Sequence, residues 1–523
     1  MNQFWKQRLI VCLIIWIGFI FSYSLADHYS HSFKFADEDE HIVIGWMMNK
    51  GKRLYQDIST NHQPLNYAFS AVVQRVFHPD NMFMLIKRHR QVVFLWSLLW
   101  STGLTLRFGK KMVFPLLLFE VLKYWLLGNE FLAESFAVYP ATYIFAVVWQ
   151  QWKDRIYYPE DVLLGISAAL SCLFLIPLAV PLGLLILWRW WLKRNMPTVV
   201  QFAIGVCLVC IPLFLLVPFK DFFMETIYYN GKYGIPLLSQ FTSIGDVFAL
   251  WTIPFRSWFD FSDALNQVFA GLGLVWIGCL AWNMSHKKWQ VAISIFTLYW
   301  VWNFSNMRVI RLHQYYYSGF HIIPWLLIGF VISSFLLSDI FNTISNKHRI
   351  ILGSVIGIMI TTWIALQPSI PGKHLPNPQT ESYVQYTPIT QAAQVINALK
   401  NPTDTLMVFP NESLIHWLTN LNPPTRQVTY YEWQYHHPVL KQGMESVLSN
   451  TPPRFIQFTD DHASFSPLVT QVLHDSYTKL FDLPGVYIRT DSLSLITPKQ
   501  WQQYASLPAD FSGLNRDIMK GKL

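Results

Sequence analysis

Three groups of ionisable residues stand out in a chain that otherwise carries few. The first is Asp37-Glu38-Asp39-Glu40-His41, followed by Asn61-His62-Gln63-Pro64. The second is Glu130 with Glu134, spaced to share one face if the segment is helical. The third is Arg308, Arg311 and His313, followed by Tyr315-Tyr316-Tyr317. Paired carboxylates suit a cation or the hydroxyls of a sugar. Arginine beside aromatic rings suits a phosphate and a sugar ring, because guanidinium offers a charged fork to phosphate oxygens. Each group also has a plainer reading. Acids at a helix start favour the helix dipole, Glu130 and Glu134 fit a solvated helix end, and arginines near aromatics anchor helices at a bilayer surface.

The elements that must position these groups are mostly apolar. Of 523 residues, 52% are hydrophobic and 13% charged, against about a quarter charged in soluble domains. Mean hydropathy is +0.27. A water-soluble core could not hide so much apolar surface, whereas a bilayer takes it as solvent. Apolar runs lie near 9–25, 91–106, 112–128, 136–150, 161–175, 177–192, 198–218, 264–282, 289–304, 315–337 and 350–367. They predict a polytopic α-helical membrane protein of about eleven spans, several of them near the lower length limit. Ser24-Leu25-Ala26 resembles a signal-peptide cleavage site, but the first run is long for one and is read as a retained span.

With a cytoplasmic N-terminus, the basic connections Arg107–Lys111, Trp152–Arg155, Arg189–Arg194, His286–Lys288 and Lys347–Arg349 all fall inside, as the positive-inside rule requires. The net charge of +8 is therefore a topology signal rather than a nucleic-acid one. The long polar segments 26–88, 219–262 and 368–523 then fall outside. The division expected is a transmembrane domain over 1–367, with a first external loop at about 26–88, and a small soluble α/β domain over 368–523. In the latter, ITQAAQVINALK, SLIHWLTNL, HPVLKQGMESVLSN and SPLVTQVLHDSY read as helices, and TLMVFP, RQVTYYEW and RFIQFT as strands. Their alternation predicts a largely parallel sheet. In the first loop, Ile42, Ile44, Trp46, Met47 and Met48 mark the apolar face of a helix ended by Gly51, and Pro64 starts the next. The five cysteines lie inside apolar runs and imply no disulfide framework.

Asp37-Glu38, Gly51, Tyr55-Gln56-Asp57 and His62-Gln63-Pro64 in a first external loop resemble the GT-C superfamily of integral-membrane glycosyltransferases. That superfamily includes protein O-mannosyltransferases, aminoarabinose transferases and bacterial mannosyltransferase-like proteins. Arg311-Leu312-His313-Gln314-Tyr315-Tyr316, with Pro324 beyond, is similar to its late external loop, and the likeness covers roughly residues 1–370. The resemblance implies inverting transfer of a sugar from a polyprenyl-phosphate carrier to a lipid, glycan or protein acceptor. It makes Asp37 the general base, with Glu38 beside it. Four consecutive acids leave Asp39 open as the base, and Glu40 as a helper. Arg311, His313 and Tyr316 would face the donor phosphate, with Tyr315 or Tyr316 against sugar or isoprenoid. His62, Glu130 and Glu134 would support sugar or acceptor. The residues fix no cofactor, and a divalent cation held by Glu130, Glu134 and the first-loop acids stays open, as does neutralisation by arginine alone. The expected location is a plasma membrane, N-terminus cytoplasmic and C-terminal domain outside. The alternative is a transporter or lipid flippase. Such proteins commonly carry internal repeats and ionisable groups near the bilayer midplane, whereas the unusual charges here gather in external segments.

Overall fold

The computed structural model describes residues 3–154, 160–193, 196–234, 264–304, 319–459 and 466–520. The chain is mostly helical and divides into two compact units. One takes residues 1–30, 89–215 and 240–376, and the other takes 31–88, 216–239 and 377–523.

The first unit is a helical bundle. Helices follow the apolar runs of the sequence through the described residues. Six helical segments among the described residues are long and apolar enough to cross a membrane by length and composition. They are Trp5–His28, Met82–Leu126, Met196–Leu216, Ala264–Ser285, Gly319–Phe341 and Asn346–Leu366. Asp161–Phe174 and Ile176–Trp191 are apolar but shorter. The segment Met82–Leu126 holds two of the predicted runs, divided at Gly109, whose φ of +72° breaks the helix. Asn346–Leu366 buries none of its residues, and Met196–Leu216 leaves Leu208, Ile211, Leu215 and Leu216 exposed. Wide apolar faces that the protein leaves uncovered need a nonaqueous surrounding. The core of this unit is a stack of indoles. Trp276 lies 5.3 Å from Trp302, and Trp302 lies 4.3 Å from Trp325, with near-parallel planes. The Trp302 indole N–H donates to the Trp325 carbonyl at 2.7 Å, and Gly329 leaves room for the Trp302 ring.

Two of the basic connections are tied together by polar contacts in this bundle. Arg8 donates to the Thr105 carbonyl, Arg107 pairs with Glu160 at 2.5 Å, and Lys111 and Lys153 share Asp339. Connections the sequence places on one side are thus joined to one another.

The second unit collects the described parts of the three long polar segments. Residues 31–88 thus cluster with residues 377–523 rather than with the helical bundle. The reason is that Ala36–Asn49 and Pro64–Phe77 each have an apolar face to bury. They bury these faces against each other and against the short helix Leu414–Thr419. The C-terminal sheet has four strands, β1 (Leu406–Phe409), β2 (Phe455–Phe458), β3 (Tyr477–Asp482) and β4 (Gly485–Arg489). Their order is β1-β2-β4-β3.

Only β1 and β2 run parallel, with Leu406 opposite Phe455, while β4 is antiparallel to both β2 and β3. The sheet is mixed, which corrects the largely parallel expectation. The β3–β4 hairpin replaces the crossover that a parallel pair would need. RQVTYYEW is not a strand either. It runs past β1 with a single backbone bond, Tyr430 N to Val408 O at 3.1 Å, and stacks the Tyr430 ring on Phe409. Its β-rich composition reflects burial rather than ladder pairing. The four helices read in this segment are present, as Pro378–Leu399, Leu414–Thr419, Pro438–Asn450 and Pro467–Ser476. Ser466 caps the last by accepting from Val469 N.

Candidate functional site

The four acids of the first loop open the helix Ala36–Asn49, and Asp37, Glu38 and Asp39 fill its first turn, where the helix dipole favours negative charge. Gly51, at φ +88°, closes the helix. The return segment is fixed by the Tyr-x-Asp group. Asp57 accepts from Arg53 N at 2.8 Å, Gln56 donates to Asp221 at 2.6 Å, and the Tyr55 hydroxyl donates to the His62 carbonyl at 2.7 Å. Tyr55 takes the left-handed backbone region, φ +65°, with its ring buried against Phe222. Such a conformation persists only where its surroundings hold it.

Helical spacing separates the acids. Glu38 and Asp39 are fully buried, Glu40 is 7% exposed, and Asp37 alone is half-buried. Asp39 lies 3.9 Å from Lys34, which also pairs with Glu412. Glu40 is a hub. Thr60 donates to its Oε1 at 3.0 Å, with the Tyr67 hydroxyl 3.4 Å from the same oxygen, and Tyr431 donates to its Oε2 at 3.1 Å. Thr60 and Tyr67 also share a 2.6 Å hydrogen bond. The His41 ring packs edge-on against both His62 and Tyr67, at 5.4 and 5.3 Å. Burial pushes the Glu40 carboxyl above its ordinary range, His62 opposes that, and the nearby charge of Asp37 adds to it. Burial also raises the phenols of Tyr67 and Tyr431, with the Glu40 and Asp37 charges adding to the shift. The result is one half-exposed carboxylate beside a buried carboxyl biased toward its neutral form.

Asp37, Glu40 and His62 are thus brought together, whereas Asp39 is turned toward Lys34. Glu130 and Glu134 belong to the other unit, each beside its own basic side chain. Glu130 lies 3.4 Å from Arg90 and Glu134 lies 2.8 Å from His321. They do not share a helix face. Leu127, at φ +59°, and Gly128 turn the chain, so Glu130 precedes the helix that starts at Ala133. Arg308, Arg311, His313, Tyr315, Tyr316 and Tyr317 lie outside the described residues. Among the described residues no group of three or more His, Cys, Asp or Glu side chains is placed to hold a metal ion. Thr60, Tyr67 and Tyr431 were not legible as site residues. Tyr431 reaches Glu40 across 391 positions of sequence, and nothing local marks it.

Fold and composition define a mostly helical protein whose apolar helices suit membrane association. No protein-family model matches the chain, and no curated protein matches it in sequence.

Proposed function

We propose that the chain is an integral-membrane glycosyltransferase of the GT-C kind, with Asp37 as general base. The observation that carries this reading is the sorting of the four acids. Three are buried, Asp39 beside Lys34 and Glu40 in its hydroxyl hub, and Asp37 alone keeps access to solvent. A base must reach the proton it takes, which favours Asp37 over Asp39.

In the reaction, an acceptor hydroxyl oxygen attacks the anomeric carbon of a polyprenyl-phosphate sugar. The bond from that carbon to the phosphate oxygen breaks, and the lipid phosphate leaves with the electron pair. The hydroxyl proton passes to Asp37, and attack opposite the leaving group inverts the centre. A phosphate leaving group needs positive charge more than a proton, and Arg311 and His313, with Tyr316 beside them, are the groups proposed to supply it. The acceptor is a lipid, glycan or protein. The proposed topology has about eleven spans in a plasma membrane, with the N-terminus cytoplasmic and the acidic loop and C-terminal segment outside.

The test is transfer in reconstituted liposomes from a panel of radiolabelled polyprenyl-phosphate sugars. Asp37→Asn is expected to lower the rate about 100-fold or more, within the range of general-base catalysis, with the fold intact by circular dichroism. Undiminished transfer in Asp37→Asn would remove Asp37 as base. No transfer by wild type from any donor would bring the transporter reading forward.

A further inference from the structure

Within the second unit, a small cleft opens between the 59–61 turn, the π-helical segment Phe223–Gly234 and residues 427–440. Its free volume is about 20 Å³, room for one water- or hydroxyl-sized group at a time. Thr60 lines this cleft and also donates to Glu40. Gln427 and Gln434 line it as well and are 6% and 4% exposed. Gln434 uses its side-chain oxygen on Tyr431 N at 3.0 Å, which leaves its NH₂ group. Gln427 has its backbone tied to Thr425, while its side-chain amide makes no hydrogen bond among the described residues. The wall carries aromatic rings: Tyr229 stacks near Tyr233, and His437 packs 4.6 Å from Tyr233.

The charge of the lining selects the ligand. The one carboxylate there, Glu225, already accepts from Ser59 and Arg426, each at 2.8 Å. No lysine or arginine lines the cleft among the described residues. A phosphate would find no cation and one carboxylate. A hydrocarbon would leave the buried amides unpaired, at about 1–3 kcal/mol each. Vicinal hydroxyls satisfy both the donor and the acceptor of a carboxamide, and aromatic walls suit the C–H face of a sugar ring.

We propose that this cleft binds a hydroxyl-bearing edge of a neutral glycan, the acceptor of the transfer reaction, with Gln427 and Gln434 as its hydrogen-bonding groups. That the glycan is an acceptor rests on the glycosyltransferase reading; that the cleft binds a neutral glycan does not. The source is either a free oligosaccharide or a glycolipid headgroup, which present the same hydroxyls.

The test is binding to the full-length protein in a detergent without a sugar headgroup. Saturation-transfer NMR would use neutral gluco-, manno- and galacto-oligosaccharides in one arm, and vesicles carrying a neutral glycolipid in the other. Wild type and Asp37→Asn are expected to bind alike. Gln427→Leu is expected to bind at least tenfold more weakly while melting no lower, because it deletes an amide that has no internal partner. Asn61→Ala, at the rim of the cleft, is a second variant expected to weaken binding. Unchanged affinity in both variants would overturn the proposal, and so would absence of saturable binding in both arms. Binding that persists without any transfer activity would overturn the glycosyltransferase reading and leave the glycan site standing.

Discussion

Glu40 is where the residue-level chemistry is most constrained. A buried carboxyl that accepts from Thr60 and Tyr431, with the Tyr67 hydroxyl alongside, and leans toward its neutral form is closely imitated by an amide. Glu40→Gln is therefore expected to change the melting temperature little. Glu40→Ala, which strips the Thr60 and Tyr431 hydroxyls of their acceptor, should cost about 2–4 kcal/mol. The pH dependence has a definite sign. Since folding raises the Glu40 pKa above its ordinary 4.5, the folded state binds the proton more tightly. The stability this gives is full below 4.5 and is lost as pH rises through the folded-state value. Wild type should accordingly lose stability relative to Glu40→Gln as pH rises from 4.5 toward neutrality, measured by thermal melts in matched buffers. A difference that grows as pH falls would contradict the assignment. A double-mutant cycle of Glu40→Gln with Tyr431→Phe should give a coupling of about 0.5 kcal/mol or more.

Element packing rests on close approaches at glycine. In the helix Ala36–Asn49, a Cβ on Gly45 would stand 2.4 Å from the Ser70 hydroxyl and 2.8 Å from Ala71 N. The crossing with Pro64–Phe77 therefore requires glycine. This crossing carries Glu40 toward Tyr67, so it sets the site as well as the core. Gly45→Ala should cost about 1–3 kcal/mol by overpacking. Gly443, in Pro438–Asn450, has nothing within 4 Å of its Cβ position. Gly443→Ala should instead stabilise the same unit by about 0.5–1 kcal/mol, through backbone entropy. Opposite shifts in melting temperature are the expected pair of outcomes. Gly165 and Gly205 make a similar approach between Asp161–Phe174 and Met196–Leu216, where each Cβ would meet backbone at about 2 Å. Small residues at such crossings let apolar helices touch backbone to backbone.

For the whole molecule, topology is the quantity to measure. Single cysteines at Lys110 and Lys347 of a cysteine-free background should react with a membrane-impermeant maleimide only after permeabilisation. Cysteines at Asn230 and Asn450 should react at once. Labelling of Lys347 in intact cells would remove the proposed orientation. Fewer protected sites than about eleven spans demand would reduce their number.

Sequence alone determined the properties that depend on neighbours along the chain. Apolar runs set the helices and their need for a nonaqueous surrounding, Gly51 and Pro64 bounded the first-loop helices, and the acids were found by type. Sequence also delimited the two strands β1 and β2, whose buried residues are contiguous. Only tertiary structure decided which acid stays open to solvent. That depends on Lys34 standing by Asp39 and on Tyr431 reaching Glu40 from a distant segment. It likewise separated Glu130 from Glu134, through a turn at Leu127 and Gly128 that spacing does not encode. The sheet became mixed because β3 and β4 close as a hairpin on β2. Local patterning records how each segment meets solvent on average. It does not record which distant residue fills the space beside a given side chain, and that neighbour fixes burial, protonation and access.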